Sequence, residues 1–169
     1  MPVAVEPAVP CMTCEYCLGG QHNLCTSMRF LGSPPMHGAL AEYLVMPARG
    51  TIARRPAGLI SAQTAAVPFG ALAALAFLRD FARLRAGEKI LVVGASGSVG
   101  VFAVQLARHF GADVTGVCSS ANTALVGELG AHTVIDYKCE DFTQGGDRYD
   151  LILDTLGVSR FSRCKRVLK

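Results

Sequence analysis

From Lys89 onward the chain reads Lys-Ile-Leu-Val-Val-Gly-Ala-Ser-Gly-Ser-Val-Gly100, then an apolar stretch, then Asp113-Val-Thr-Gly-Val-Cys118. No other feature narrows the choice of fold as far. Lys89 to Val93 is a short β-branched run stopped by Gly94, the pattern of a strand buried in a parallel sheet. Ser98 to Phe110 repeats apolar residues with helical period through Val101, Val104 and Ala107, and Gly111 supplies a stop. Asp113 to Cys118 then reads as a second strand. Two strands joined through a helix form a βαβ unit, whose natural product is a parallel sheet.

The alternation continues to the end of the sequence. Asn122 to Leu129 predicts a helix ended by Gly130, His132 to Ile135 a third strand, and Tyr149 to Asp154 a fourth. Phe161 to Leu168 starts another helix. Upstream, Thr64 to Arg83 is an Ala/Leu segment with helical spacing that begins near Ser61. Pro68 is expected in its first turn or just ahead of it, so the helix should start later than the apolar pattern does. Residues 1–60 differ in texture, being rich in Pro, Gly and Cys, with short extended stretches such as Ala41 to Val45. The expected organisation is two regions, 1–60 and 61–169. The second is α/β, part of a Rossmann-type doubly wound parallel sheet.

Gly94, Gly97 and Gly100 fall between strand and helix with the spacing Gly-x2-Gly-x2-Gly, not the commoner Gly-x-Gly-x2-Gly. An early glycine permits the tight turn, the middle one lets backbone approach a diphosphate, and the last allows close packing. The helix start adds free amides and a favourable dipole. Gly94, Ser96, Gly97, Ser98, Val99 and Gly100 are therefore candidate dinucleotide-binding residues, with a packing-only role as the alternative. An acidic residue at the end of the second strand would favour NAD(H) by binding the ribose 2′-hydroxyl. Here the chain reads Val117-Cys-Ser-Ser-Ala-Asn122, without an acid. Ser119 and Ser120 suit a phosphate, which favours NADP(H) over NAD(H), although no Arg or Lys stands nearby in sequence. Asp154, at the end of the fourth strand, either lines the cofactor cleft or serves the turn.

Seven cysteines are many for a chain of 169 residues, and Cys11, Cys14, Cys17 and Cys25 cluster as Cys-x2-Cys-x2-Cys-x7-Cys. Four thiolates on one tight loop suit a closed, tetrahedral structural Zn2+ site that leaves no position for water or substrate. An iron–sulfur cluster is the rival, but those runs continue Cys-x3-Cys-Pro, which this chain lacks. His22 lies inside the loop and is not needed as a ligand. Cys118, Cys139, Cys164 and Met36 read as packing or incidental residues. His37, after Pro34-Pro35-Met36, is a candidate acid/base by its chemistry, with a solvated loop histidine as the plainer reading.

Composition removes several classes. Hydrophobic residues at 51% against 17% charged exclude a disordered chain. No apolar run is expected to approach the ~20 residues of a membrane span. The N-terminus lacks the basic flank of a signal peptide, so the default location is cytoplasmic. A net charge of +3, with 16 scattered Lys and Arg, gives no basic stripe for nucleic acid.

Together the cysteines and the glycine turn resemble the zinc-containing alcohol dehydrogenase superfamily, the medium-chain dehydrogenases/reductases. Residues 3–48 resemble the sorbitol/xylitol dehydrogenase branch through Pro10-Cys11, Cys14-Glu-Tyr-Cys17, His22-Asn-Leu-Cys25 and Arg29-Phe-Leu-Gly-Ser-Pro-Pro35. Residues 64–157 resemble the quinone-oxidoreductase-like branch through Ala65-Ala-Val-Pro-Phe-Gly70, Val93 to Gly100, Leu129-Gly-Ala131, Val134-Ile-Asp-Tyr137 and Tyr149-Asp150. The resemblance implies a GroES-like region ahead of the Rossmann part, and places Tyr137 near the adenosine phosphate. It further implies a homodimer or homotetramer acting on a small molecule, an alcohol, carbonyl, enone or quinone, by hydride transfer. Family members are about twice this length, and their catalytic zinc ligands would lie upstream of Met1. The remaining ligand position corresponds to Val67 or Gly70, neither of which binds metal. No residue identifies itself as the catalytic acid. The alternative is a non-catalytic fragment that binds zinc and dinucleotide.

Overall fold

The computed structural model describes residues 1–47 and 52–169. Ala48, at the end of the first resembling stretch, lies outside the described residues, as do Arg49, Gly50 and Thr51. The chain divides into two compact units, Met1–Pro68 and Phe69–Lys169.

The first unit is built from short ribbons. β1 (Val3–Val5) pairs antiparallel with β4 (Ile52–Arg54), and β2 (Ala8–Val9) pairs antiparallel with β3 (Arg29–Phe30). Between β2 and β3 lie a one-turn helix α1 (Glu15–Leu18) and a 3-10 turn at His22–Leu24. Ala41 to Val45 forms no strand, contrary to expectation; Leu40, Tyr43 and Val45 stand almost fully exposed. An extended run needs a neighbour to accept its amide bonds, and no strand pairs with this one among the described residues.

Helix α2 (Ser61–Leu75) continues as a π-helical segment, Ala76–Phe81. It starts earlier than Pro68 suggested. Ile60 O accepts from both Thr64 N and Thr64 Oγ1, at 3.0 Å each, which secures the first turn. Pro68 sits inside the helix, where it sacrifices one amide bond without ending it. Over Ser61–Phe81 the 21 residues are long and apolar enough, by length and composition, to cross a membrane. That corrects the expectation that no run approaches such a length. Burial accounts for only part of this apolar character: Ala74 and Leu78 lie fully inside the α/β core, whereas Phe69, Phe77 and Phe81 are exposed.

The second unit carries a four-stranded sheet. β5 (Lys89–Val93), β6 (Asp113–Cys118), β7 (Thr133–Asp136) and β8 (Leu151–Asp154) are all parallel, in the order β7-β6-β5-β8. Successive βαβ crossovers run from β5 to β7, then the chain returns to place β8 on the other side of β5. That reversal makes a crevice at the carboxyl ends of β5 and β8, where doubly wound sheets take ligands.

Alternation along the strands separates two cores. Ile90, Val92 and Val114 pack with Ala103, Val104 and Ala107 of α3 (Gly100–His109) and Val126 of α4 (Thr123–Glu128). Leu91, Val93, Val117 and Ile135 face the opposite way, against Tyr149 and Val167. The last helix, α5, is only Phe161–Cys164, shorter than expected. The chain then closes on Tyr149, whose N–H donates to Val167 O at 2.8 Å.

Candidate functional site

In the first unit the sequence brings four sulfurs together with little help from secondary structure. Cys11 and Cys14 precede α1, Cys17 lies within it, and Cys25 follows the 3-10 turn. Their ligand atoms all lie within 4.8 Å of one another, and Cys11 Sγ is 3.9 Å from Cys17 Sγ. A tetrahedral zinc with ~2.3 Å Zn–S bonds sets sulfurs roughly 3.8 Å apart, so the donor set fits that ion.

Backbone amides aim at the sulfurs: Cys11 N at Cys25 Sγ (3.2 Å), Cys14 N at Cys11 Sγ (3.3 Å) and Ser27 N at Cys25 Sγ (3.4 Å). Such donors stabilise thiolate charge. The Thr13 hydroxyl and amide, with Cys14 N, bring the Cys11 thiol down to about 5. Burial pushes Cys17 up to about 12. His22 is exposed and stays outside the cluster.

The second unit holds a cavity of about 630 Å³ at the carboxyl end of the sheet. Gly94, Ser96 and Gly97 form one wall, Cys118 and Ser119 the floor at the end of β6, and Tyr137 the edge after β7. Gly94 has φ +77°, a turn conformation few other residues tolerate. Gly97 N donates to Gly94 O at 2.9 Å, so residues 97–99 are spent on the turn and α3 starts at Gly100, two residues later than read. Ser98, Val99 and Gly100 do not line the cavity; the amides of Ser98 and Val99, in the turn ahead of α3, and of Gly100, at its start, have no carbonyl partner among the described residues. A Cβ at Gly97 would meet only Gly94 O, at 3.2 Å, which leaves its outer side open for a phosphate.

Gly100 has a different task. A Cβ there would stand 2.1 Å from Gly94 O and 2.8 Å from Ala95 Cα, so it lets the helix meet the turn. Gly70 is similar: its Cβ would fall 2.3 Å from Ser98 O, which leaves no room for a ligand side chain.

Two candidate residues are diverted. The Ser120 hydroxyl donates to the Asp136 carboxylate and does not line the cavity. That bond, with Lys138 N at 3.0 Å, holds Asp136 below the usual carboxylate range. Burial, with Asp136 charge nearby, raises the Cys118 thiol. Asp154 likewise lies off the cavity, because its carboxylate accepts from Leu156 N (3.0 Å), Gly157 N (2.9 Å) and Ser159 N (2.7 Å). Burial works to raise its pKa, but these donors outweigh burial and lower it. Asp154 is thus the anchor of a turn.

Other residues enter that sequence reasoning missed. Asn122 Nδ2 donates to Ser96 Oγ (3.2 Å) and Ser119 Oγ (3.4 Å), tying the glycine turn to the end of β6. Arg160 and Arg163 line the cavity from the segment after β8, and Asp141, Phe142 and Thr143 from the segment after β7. Arg163 pairs with Asp141 and reaches Thr143 Oγ1 at 3.2 Å. The Thr143 hydroxyl and amide, then Arg163, lower the Asp141 pKa. Among the described residues Arg160 makes no ion pair. His37 is exposed beside an apolar hollow of Leu31, Met36 and Tyr43, with no acidic residue lining it.

A four-sulfur cage, a glycine turn at a helix start and strand order β7-β6-β5-β8 define a zinc-associated dinucleotide-fold protein. The chain belongs to the medium-chain dehydrogenase/reductase superfamily. Residues 1–56 match the alcohol dehydrogenase GroES-like domain and residues 98–169 the zinc-binding dehydrogenase family. The chain is 35% identical over 143 residues to the mitochondrial NAD(P)H oxidoreductase RTN4IP1 of Bos taurus, covering 80% of this chain and 36% of that protein. It is 37% identical over 131 residues to the trans-enoyl reductase pgmF of Aspergillus terreus, covering 76% and 36%. Among solved structures, an NAD-dependent alcohol dehydrogenase superposes with TM-score 0.88 at 32% identity, over 98% of this chain and 50% of that one. The chain therefore spans about a third of these curated relatives and half of that solved structure.

Proposed function

We propose that this chain forms the structural-zinc lobe and the cofactor-binding core of an oxidoreductase that moves hydride between NADP(H) and a small alcohol, carbonyl, enone or quinone. The observation that carries this reading is the cavity at the β5–β8 crevice, walled by Gly94 and Gly97 and floored by Ser119. The nicotinamide supplies the hydride when bound; the residues here bind and orient it. NADP(H) is favoured over NAD(H) because Ser119 and Tyr137 share the cavity with two guanidiniums and one carboxylate, itself paired with Arg163. Cys11, Cys14, Cys17 and Cys25 would hold zinc as a brace, without an open coordination position.

Calorimetric titration of the full chain tests the reading. NADPH should bind at least about tenfold more tightly than NADH, a difference of ~1.4 kcal/mol. Absence of binding by either, or tighter NADH, refutes it. A second reading, a zinc- and dinucleotide-binding segment without turnover, is favoured by Gly70, whose close approach to Ser98 O excludes a metal-ligating side chain. NADPH oxidation against aldehyde, enone and quinone panels separates the two: turnover removes the second reading, and binding without turnover supports it.

A further inference from the structure

β5 and β8 end side by side, and the residue after β8 does more than continue the chain. Thr155 N donates to Val93 O at 3.2 Å, extending the ladder. The Thr155 hydroxyl donates to the same oxygen at 2.9 Å and stands 3.5 Å from Gly94 O. Val93 and Gly94 both line the cavity. A Cβ on Gly94 would lie 2.6 Å from Thr155 Oγ1, so hydroxyl and turn are closely fitted. Gly94 O also accepts Gly97 N, which places one carbonyl at the centre of the turn.

The chemistry of the spot gives the hydroxyl a purpose. Strand-end carbonyls carry partial negative charge, and at this rim they stand where an anionic diphosphate is to be held. The Thr155 N–H occupies one lone pair of Val93 O and the hydroxyl the other, so this carbonyl repels phosphate oxygens less than one with the backbone bond alone. The same bond ties the end of β8 to the turn, so the amides ahead of α3 keep their direction.

We propose that Thr155 is a positioning residue for dinucleotide binding: its hydroxyl caps Val93 O and holds the Gly94 turn in the shape that receives the diphosphate. The proposal rests on the dinucleotide reading above and adds a residue to it. It concerns the diphosphate alone, not the choice between NADP(H) and NAD(H).

The test compares T155V, which keeps the methyl and loses the hydroxyl, with T155S, which does the reverse. Binding of NADPH, ADP-ribose and adenosine 2′-monophosphate to the full chain is measured by calorimetry, with melting temperatures recorded in parallel. T155V should weaken NADPH and ADP-ribose by about three- to tenfold, the scale of one hydrogen bond. T155S should bind both within about twofold of the parent, and the 2′-monophosphate, which lacks a diphosphate, should bind all three proteins alike. Parent-like affinity of T155V for ADP-ribose overturns the assignment. So does an equal loss for the 2′-monophosphate, which marks general loosening, or failure of T155S to restore binding. If T155V proves too unstable, T155A against T155S asks the same question. A parent chain that binds no dinucleotide ends the underlying reading instead, and Thr155 with it.

Discussion

Replacing Gly100 by Ala should damage the fold where the same change at Gly97 should not. The added Cβ at Gly100 would stand 2.1 Å from Gly94 O, against ordinary C···O contacts of about 3.3 Å, so roughly 1.2 Å of separation must be found. Neither partner is a flexible side chain. Gly94 O belongs to the tight turn, and α3 carries the fully buried Ala103, Val104 and Ala107 into the core. Overpacking of this kind costs up to about 3 kcal/mol or more, and the better helix propensity of Ala returns at most about 1 kcal/mol. The net loss is about 2–3 kcal/mol, or roughly 10–20 °C in melting temperature for a unit of this size. At Gly97 the same oxygen lies 3.2 Å from the added carbon and yields by a few tenths of an ångström. G97A should therefore melt within about 5 °C of the parent. Scanning calorimetry on zinc-loaded protein measures both. A G100A chain that melts like the parent, or a G97A chain that falls further than G100A, refutes the steric argument.

Three further outcomes are expected. Stripping metal with a strong chelator should loosen Met1–Pro68 by lost amide protection, because cage and lobe fold together; hydrogen exchange that stays unchanged would contradict this. Asp154→Asn should lower stability at pH 7 by about 1–3 kcal/mol, since a neutral amide accepts weakly from three amides. The Asp154 carboxyl is depressed in the folded state, so the stability it gives is present above the unfolded value near 4 and lost as pH falls through the folded value; the gap between parent and variant should narrow below about pH 4. Asp136→Ala removes a negative charge and the acceptor of the Ser120 hydroxyl, so NADPH affinity should rise several-fold relative to NADH, read by calorimetric titration.

Much of the α/β unit was legible because its signals are local. Lys89 to Val93 and Asp113 to Cys118 are β-branched runs with clear boundaries, and both became strands on those residues. The four-cysteine spacing was equally local. What escaped depends on distant chain segments. The end of α2 was readable, but Pro68 was misjudged because the bonds that secure the start come from Thr64 onto Ile60. Arg160 and Arg163 carry no sequence signal as cavity residues; only the return of the chain past β8 brings them opposite Asp141 and Thr143. Ser120 looked as suitable as Ser119 until Asp136, two strands' length away in sequence, claimed its hydroxyl. Ala41 to Val45 has strand-like residues, yet an edge without a partner stays a coil.

The position of the sulfur cage has a consequence for biosynthesis. All four thiols lie between Cys11 and Cys25, so a nascent chain can capture its ion as soon as that one short loop has emerged. The central strand β5 meets no such good fortune, for Ile90 must wait until Leu151 has emerged before its outer edge is paired. Until then that edge is unpaired, which makes the interval between the two strands a stage exposed to pairing with other chains.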